Sequence, residues 1–103
     1  MLIEQSWMSG IVKSIPYRGI LYAQLDVDEF VIGLVLIQIV LVRIYIHQIR
    51  EVQLLKNIFV PEIVINYLDH RGGFKNISLR TVKYLQWGQA FKSLGVLVKY
   101  PNL

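Results

Sequence analysis

The feature that most constrains the fold of this chain is an apolar segment in the first half of the sequence. Residues 30–46 read FVIGLVLIQIVLVRIYI. The run of apolar side chains is interrupted only by Gly33, Gln38, Arg43 and Tyr45. A bilayer core of about 30 Å needs about 20 helical residues, with a lower limit near 17. The segment reaches that limit, and it therefore predicts a single membrane-spanning helix.

The same segment supports a second interpretation as strand structure. It is rich in isoleucine and valine, which favour strands. Residues 42–47 also alternate between apolar and polar side chains, the pattern of a half-buried strand. A protein that buries the segment in this way would be a soluble α+β protein. The sequence leaves both interpretations open and favours the helix.

The chain is short enough for one domain. Its composition indicates an apolar surface that a membrane or a partner protein covers. Hydrophobic residues make up 54% of the 103 residues, whereas charged residues make up 17%. We divide the single domain into an N-terminal flank (1–29), the apolar core segment (30–46) and a basic C-terminal region (47–103). The predicted fold is mainly α, because the spanning helix is joined by shorter predicted helices over 1–14, 47–58, 62–70 and 78–94.

The charge distribution predicts a membrane topology. Four acidic and two basic residues precede residue 30, whereas eight basic and three acidic residues follow residue 46. Basic residues near a span stay on its cytoplasmic side. We therefore expect the N-terminus outside and the C-terminal region in the cytoplasm or an organelle interior, whereas the soluble alternative would be cytoplasmic. The basic tail, which we expect to contact anionic headgroups or an acidic partner, comprises Arg50, Lys56, Arg71, Lys75, Arg80 and Lys83.

Four residues of the apolar segment are candidate contact sites. Gly33 permits close backbone approach, and a mid-membrane amide such as Gln38 commonly bonds to another helix. Both residues are therefore predicted to contact a partner helix. Arg43 and Tyr45 lie near the end of the segment and are predicted to anchor it at the membrane interface. These assignments predict a small, non-catalytic membrane subunit that packs against the helices of protein partners.

Catalytic patterns are absent from the sequence. There is no cysteine, and His47 and His70 lack the spacing of metal-binding histidine pairs. Ser9 is not in the glycine-flanked context of an esterase nucleophile. We therefore predict no catalytic residues, no metal site, no cofactor and no small-molecule substrate.

The C-terminal region also carries a weak nucleic-acid signal. Residues 71–74 read RGGF, and aromatic residues are interleaved with the basic residues that follow. Basic groups bind phosphate and aromatic rings stack on bases. The alternative function is therefore a soluble, oligomeric binding or structural module that contacts nucleic acid through a basic face.

Overall fold

The computed structural model describes residues 2–37, 39–56 and 60–100, and β-strands account for 61% of them. Within these residues, eight strands form one sheet, and one α-helix follows the seventh strand. The elements are β1 (Leu2–Val12), β2 (Ile15–Asp26), β3 (Glu29–Leu34), β4 (Val40–Tyr45), β5 (Ile49–Leu55), β6 (Glu62–Leu68), β7 (Phe74–Arg80), α1 (Tyr84–Ser93) and β8 (Val98–Lys99).

The apolar segment 30–46 is a β-hairpin, so the predicted membrane-spanning helix is wrong. β3 and β4 pair in antiparallel fashion, with Phe30 opposite Ile44 and Ile32 opposite Val42. These four side chains point to the core, because alternate residues of a strand share a face. The isoleucine and valine content of the segment, which favours strands, was therefore a better guide than its length, which had indicated a helix.

The predictions of a mainly α fold and of a membrane topology depended on that helix and are wrong as well. In residues 2–37, 39–56 and 60–100, no helix combines the length and apolarity that crossing a bilayer requires. The predicted membrane localisation, with the N-terminus outside, is therefore wrong. The strand interpretation of the segment is closer to the structure, which is a mostly β, compact domain.

The shorter helices predicted over 1–14, 47–58 and 62–70 are wrong for the same reason. β5 buries Val52 and Leu54, and β6 buries Ile63 and Ile65. Buried residues two positions apart are the mark of a strand that has one face in the core.

The sheet curls strongly, as its strand order and one short connection require. The order is β4-β3-β2-β1-β7-β6-β5-β8, and all pairs are antiparallel except β5 with β8. In a flat sheet, β4 and β5 would lie six strand spacings apart, or about 29 Å. The chain joins them through one 3₁₀ turn, Ile46–Gln48, which spans at most about 15 Å. The two halves of the sheet therefore fold toward each other.

A bulge in β1 lies where the two halves of the sheet meet. The register of β1 with β2 shifts between Met8 and Gly10, and the pairing of β1 with β7 is confined to Ser9–Ile11. A Cβ atom at Gly10 would overlap the carbonyl oxygen of Ser78. Glycine therefore allows β7 to approach, and the bulge increases the local bend.

The helix α1 packs against the concave face of the curled sheet. Trp87, Ala90 and Phe91 are buried, a spacing that gives one apolar helix face. The rings of Trp87 and Phe91 pack on the ring of Phe30 in β3. The ring centroids of Phe30 and Trp87 are 5.8 Å apart with an interplanar angle of 85°, and those of Phe30 and Phe91 are 5.4 Å apart. The helix predicted over 78–94 is thus present over its C-terminal part, whereas its first residues belong to β7.

One hydrogen bond connects the buried indole ring to the sheet. The Trp87 Nε1–H group donates to Ser6 Oγ of β1 at 2.8 Å, and Trp87 is 1% exposed. Without this acceptor, the indole N–H would be buried and unsatisfied, which costs about 1–3 kcal/mol.

We predict that Ser6→Ala lowers the free energy of unfolding by about 1–3 kcal/mol in the wild-type background. The same change should cost much less in a Trp87→Phe background, because phenylalanine has no N–H group to leave unpaired. Urea unfolding followed by circular dichroism measures both costs. Equal costs of Ser6→Ala in the two backgrounds would show that the hydrogen bond contributes nothing.

Candidate functional site

A concavity lies where the curled sheet remains open. Its volume is about 820 Å³, and strand β4 forms one wall while β6, β7 and the β1–β2 turn form the others. We call this concavity the seam. Its lining residues are Ile11, Lys13, Ser14, Leu41, Val42, Arg43, Gln48, Tyr67, Asp69, His70, Phe74, Lys75, Asn76 and Ser78.

Strand β4 presents an unpaired edge. It is the terminal strand of the sheet, so β3 is its only strand neighbour among the described residues. The N–H of Ile46 donates to the carbonyl of Asp28 at 2.9 Å, in register with the β3–β4 pairs. Because backbone groups of a strand alternate in direction, Ile44 also faces β3. The backbone N–H and C=O of Arg43 therefore point away from β3.

Gln48 bridges one end of this edge to strand β6. Its Oε1 accepts a hydrogen bond from the N–H of Tyr45 at 2.9 Å, and its Nε2 donates to the carbonyl of Leu68 at 3.0 Å. The N–H of Tyr45 points away from β3, on the same side as the backbone groups of Arg43. The free side of β4 therefore faces the end of β6, and the seam opens along the same edge beyond the bridge.

The β1–β2 turn places a cation at the rim of the seam. Lys13 and Ser14 form a two-residue hairpin loop with φ angles of 52° and 66°. Two-residue loops with positive φ strongly favour glycine, which has no Cβ atom, and asparagine, whose short polar side chain tolerates the left-handed region better than most residues. Such strain costs of order 1 kcal/mol per residue and clusters at functional sites.

The β6–β7 turn supplies the opposite rim. Asp69 Oδ1 accepts hydrogen bonds from the backbone N–H groups of Arg71 at 2.9 Å and Gly73 at 2.8 Å. The bond from Gly73 is the main reason that the pKa of Asp69 lies below its ordinary value of 3.8. The Asp69 carboxylate therefore stabilises the turn through these hydrogen bonds. The adjacent His70 and the following Lys75 line the seam.

The seam has a basic character. Lys13, His70 and Lys75 are exposed, and Arg43 forms an ion pair with Glu29 at 3.0 Å on the outer side of the hairpin. Asp69 is the one carboxylate among the lining residues. An arrangement of this kind attracts anionic groups.

Tyr67 adds a neutral hydroxyl group to the seam. Burial, and secondarily the negative charge of Asp69, raise the pKa of Tyr67 above its ordinary value of 10.0. The hydroxyl group therefore keeps its proton at neutral pH and remains available as a hydrogen-bond donor.

The seam brings together two of the site residues predicted from the sequence, Arg43 and Lys75. Arg50 lines a smaller concavity of about 330 Å³, which also includes Lys75. Arg71 is in the β6–β7 turn, whereas the remaining predicted tail residues line neither concavity: Lys56, Arg80 and Lys83.

Of the two residues predicted to contact a partner helix, Gly33 lies in strand β3. Gly33 is buried in β3, where the backbone of its own hairpin approaches it: a Cβ atom would lie 2.7 Å from the carbonyl oxygen of Ile39. Gln38 lies outside the described residues. Tyr45, a predicted membrane anchor, is half exposed and stacks on His47 with ring centroids 5.9 Å apart.

Sequence reasoning missed several residues of the seam, chiefly Lys13, Ser14 and the exposed Phe74. The Lys-Ser pair lacks the glycine or asparagine that marks a two-residue hairpin. Phe74 is named from the sequence only as the last residue of the RGG-like segment 71–74, whose Gly72 and Gly73 lie in a turn, with a φ of +80° at Gly72. The described residues contain no group of three His, Cys, Asp or Glu side chains that could hold a metal ion.

We predict that the double variant Lys13→Asn/Ser14→Gly raises the free energy of unfolding by about 1 kcal/mol, because both residues tolerate positive φ. Chemical denaturation measures the change. The control Lys13→Ala/Ser14→Ala removes the same side chains and keeps the strain, so it should give no gain. An equal gain in both variants would show that the turn is not strained.

Comparison of the sequence with protein families gave no match, and comparison with curated proteins gave none either.

Proposed function

We propose that this protein is a non-catalytic binding module that holds an anionic segment of a macromolecular partner in the seam. The observation that carries the proposal is the position of two exposed lysines, Lys13 and Lys75, together with the exposed imidazole ring of His70, around one concavity of about 820 Å³. A concave site with converging charged groups is the usual form of a recognition site.

The local charge balance supports an anionic ligand. The Asp69 carboxylate is engaged by two backbone N–H groups, and Glu29 neutralises Arg43 from the opposite side of the strand. Neither Lys13 nor Lys75 forms an ion pair among the described residues, although Lys75 interacts with the charge of Asp69. The strained turn that carries Lys13 favours a role in binding over a role in stability.

The absence of catalysis is part of the proposal. The seam contains one histidine, His70, and it is exposed at the rim. The hydroxyl groups of the lining residues, such as Ser14 and Ser78, have no described hydrogen bond to a histidine that would activate them as nucleophiles. Ser78 Oγ donates instead to Glu62.

A second candidate ligand is single-stranded nucleic acid, and one observation favours it. The ring of Phe74 is 80% exposed and lines the seam beside Lys75. Exposed aromatic rings next to cations stack on bases while the cations contact phosphates. Protein and nucleic-acid ligands would form different hydrogen bonds with the strand edge.

We predict that Lys13→Ala/Lys75→Ala weakens binding of a polyanion about tenfold, because each exposed ion pair contributes up to about 1 kcal/mol. The probes are fluorescent poly-L-glutamate and an oligothymidylate, and fluorescence anisotropy at two salt concentrations measures affinity. The weaker salt dependence expected of the variant reflects the lost ionic contacts.

The matched control is Lys83→Ala/Lys92→Ala, which removes the same charge from residues that do not line the seam. It should retain most of the affinity. Equal losses in the two double variants would indicate non-specific attraction to a basic protein. No binding of either probe by the wild-type protein would also contradict the proposal.

A further inference from the structure

We infer that the partner bound in the seam is an acidic polypeptide segment in extended conformation, which pairs with the main chain of β4 as an added strand. This inference rests on the proposed function and specifies its ligand. Two features of the seam support it: an unpaired strand edge forms one wall, and cations occupy the rims opposite and beside that edge.

The unpaired edge is the first feature. The backbone N–H and C=O of Arg43 point away from β3, as the bond between Ile46 and Asp28 establishes through the alternation of β4. A strand edge with free donors and acceptors is a template for pairing with another chain. An extended peptide added to a sheet edge gains its affinity from such main-chain hydrogen bonds.

The structure already shows a hydrogen-bonded group on this side of the edge. The Oε1 atom of Gln48 accepts from the N–H of Tyr45 at 2.9 Å, as a carbonyl of an added strand would. Gln48 is in turn fixed by its bond to the carbonyl of Leu68. The bridge therefore covers the last residue of the edge, and Arg43, two residues away, faces the open part of the seam.

The chemistry of the rims specifies an acidic segment. Lys13 and Lys75 lie in the β1–β2 turn and at the start of β7, and both line the seam together with β4. A peptide on β4 would project alternate side chains to either face, so every second residue could reach these ammonium groups. Acidic residues at those positions would complement them.

The same edge argues against nucleic acid as the ligand. The backbone of Arg43 offers one donor and one acceptor, and a peptide backbone supplies both complementary groups at the spacing of a strand. A sugar–phosphate backbone supplies phosphate acceptors, which suit Lys13 and Lys75 but leave the carbonyl of Arg43 without a donor. A polypeptide therefore satisfies more of the seam.

The test compares two substitutions at one position. Arg43→Ala and Arg43→Pro both remove the guanidinium group and its ion pair with Glu29, but only proline removes the outward N–H. Proline is tolerated on an edge strand where its nitrogen faces away from the neighbouring strand. The probe is a fluorescent seven-residue peptide of alternating valine and glutamate, whose binding is measured by fluorescence anisotropy.

We expect Arg43→Pro to bind this peptide about tenfold more weakly than Arg43→Ala, because it lacks a main-chain donor. Equal affinities of the two variants would overturn strand pairing. In that case a loss caused by Lys13→Ala/Lys75→Ala in the same assay would leave the proposed function standing. Binding of oligothymidylate without binding of the peptide would likewise overturn this inference and retain the seam as an anion site.

A second measurement on the wild-type protein keeps the inference testable if Arg43→Pro does not fold. Two versions of the peptide carry N-methyl groups on alternate residues, in one phase or the other. N-methylation removes the backbone donor without changing charge. We expect one phase to abolish binding and the other to retain it, since only one side of the added strand faces β4. Equal binding of both versions would overturn the inference.

Discussion

The structure depends on the short connection between β4 and β5. These strands lie six positions apart in the sheet, yet one 3₁₀ turn, Ile46–Gln48, joins them. A flat sheet would separate them by about twice the length that this connection can span. The sheet therefore has to curl, and its concave face has to be filled with apolar side chains.

The bulge at Gly10 allows the sheet to curl, and the helix α1 fills its concave face. Trp87 and Phe91 bring large rings to the concave face, where they meet Phe30. Gly10 lets β7 pass close to β1 where the sheet bends. Curling brings β4 near β6, but the described structure contains no strand pairing between them. The seam is the space that this incomplete closure leaves.

The seam combines two kinds of recognition that the fold produces together. The terminal position of β4 leaves its main-chain edge unpaired, and the curvature of the sheet brings the β1–β2 and β6–β7 turns around that edge. The turns carry Lys13 and Lys75, whose charges attract an anion, whereas the edge offers directional hydrogen bonds to an extended chain. Charge would favour encounter with a partner, and strand pairing would fix its register.

The sequence predicts which segment is strongly apolar but not the secondary structure that this segment adopts. In the described part of the chain, residues 30–46 contribute four buried side chains to the core, and the helix predicted over 78–94 overlaps α1. The choice of helix over strand failed because Phe30, Ile32, Val42 and Ile44 face the core, whereas intervening positions such as Val31 and Leu41 are apolar as well, which masks the period of two.

The site was less predictable than the core. The sequence predicts Arg43 as a membrane anchor from its place at the end of the apolar segment and Lys75 as part of the basic tail. The two residues line one concavity only because the sheet curls between them. Lys13 could not be recognised, because its turn lacks the asparagine and glycine that usually mark such hairpins. The free backbone of Arg43 has no sequence signature, since it follows from the terminal position of β4 in the strand order.

Amide hydrogen exchange along β4 tests the central claim of an open, strand-lined seam most directly. The account predicts slow exchange at Val42 and Ile44, whose N–H groups face β3, and fast exchange at Arg43, whose N–H group faces the seam. Uniform protection across all three residues would contradict the account, because it would mean that the segment is helical or that its edge is already covered.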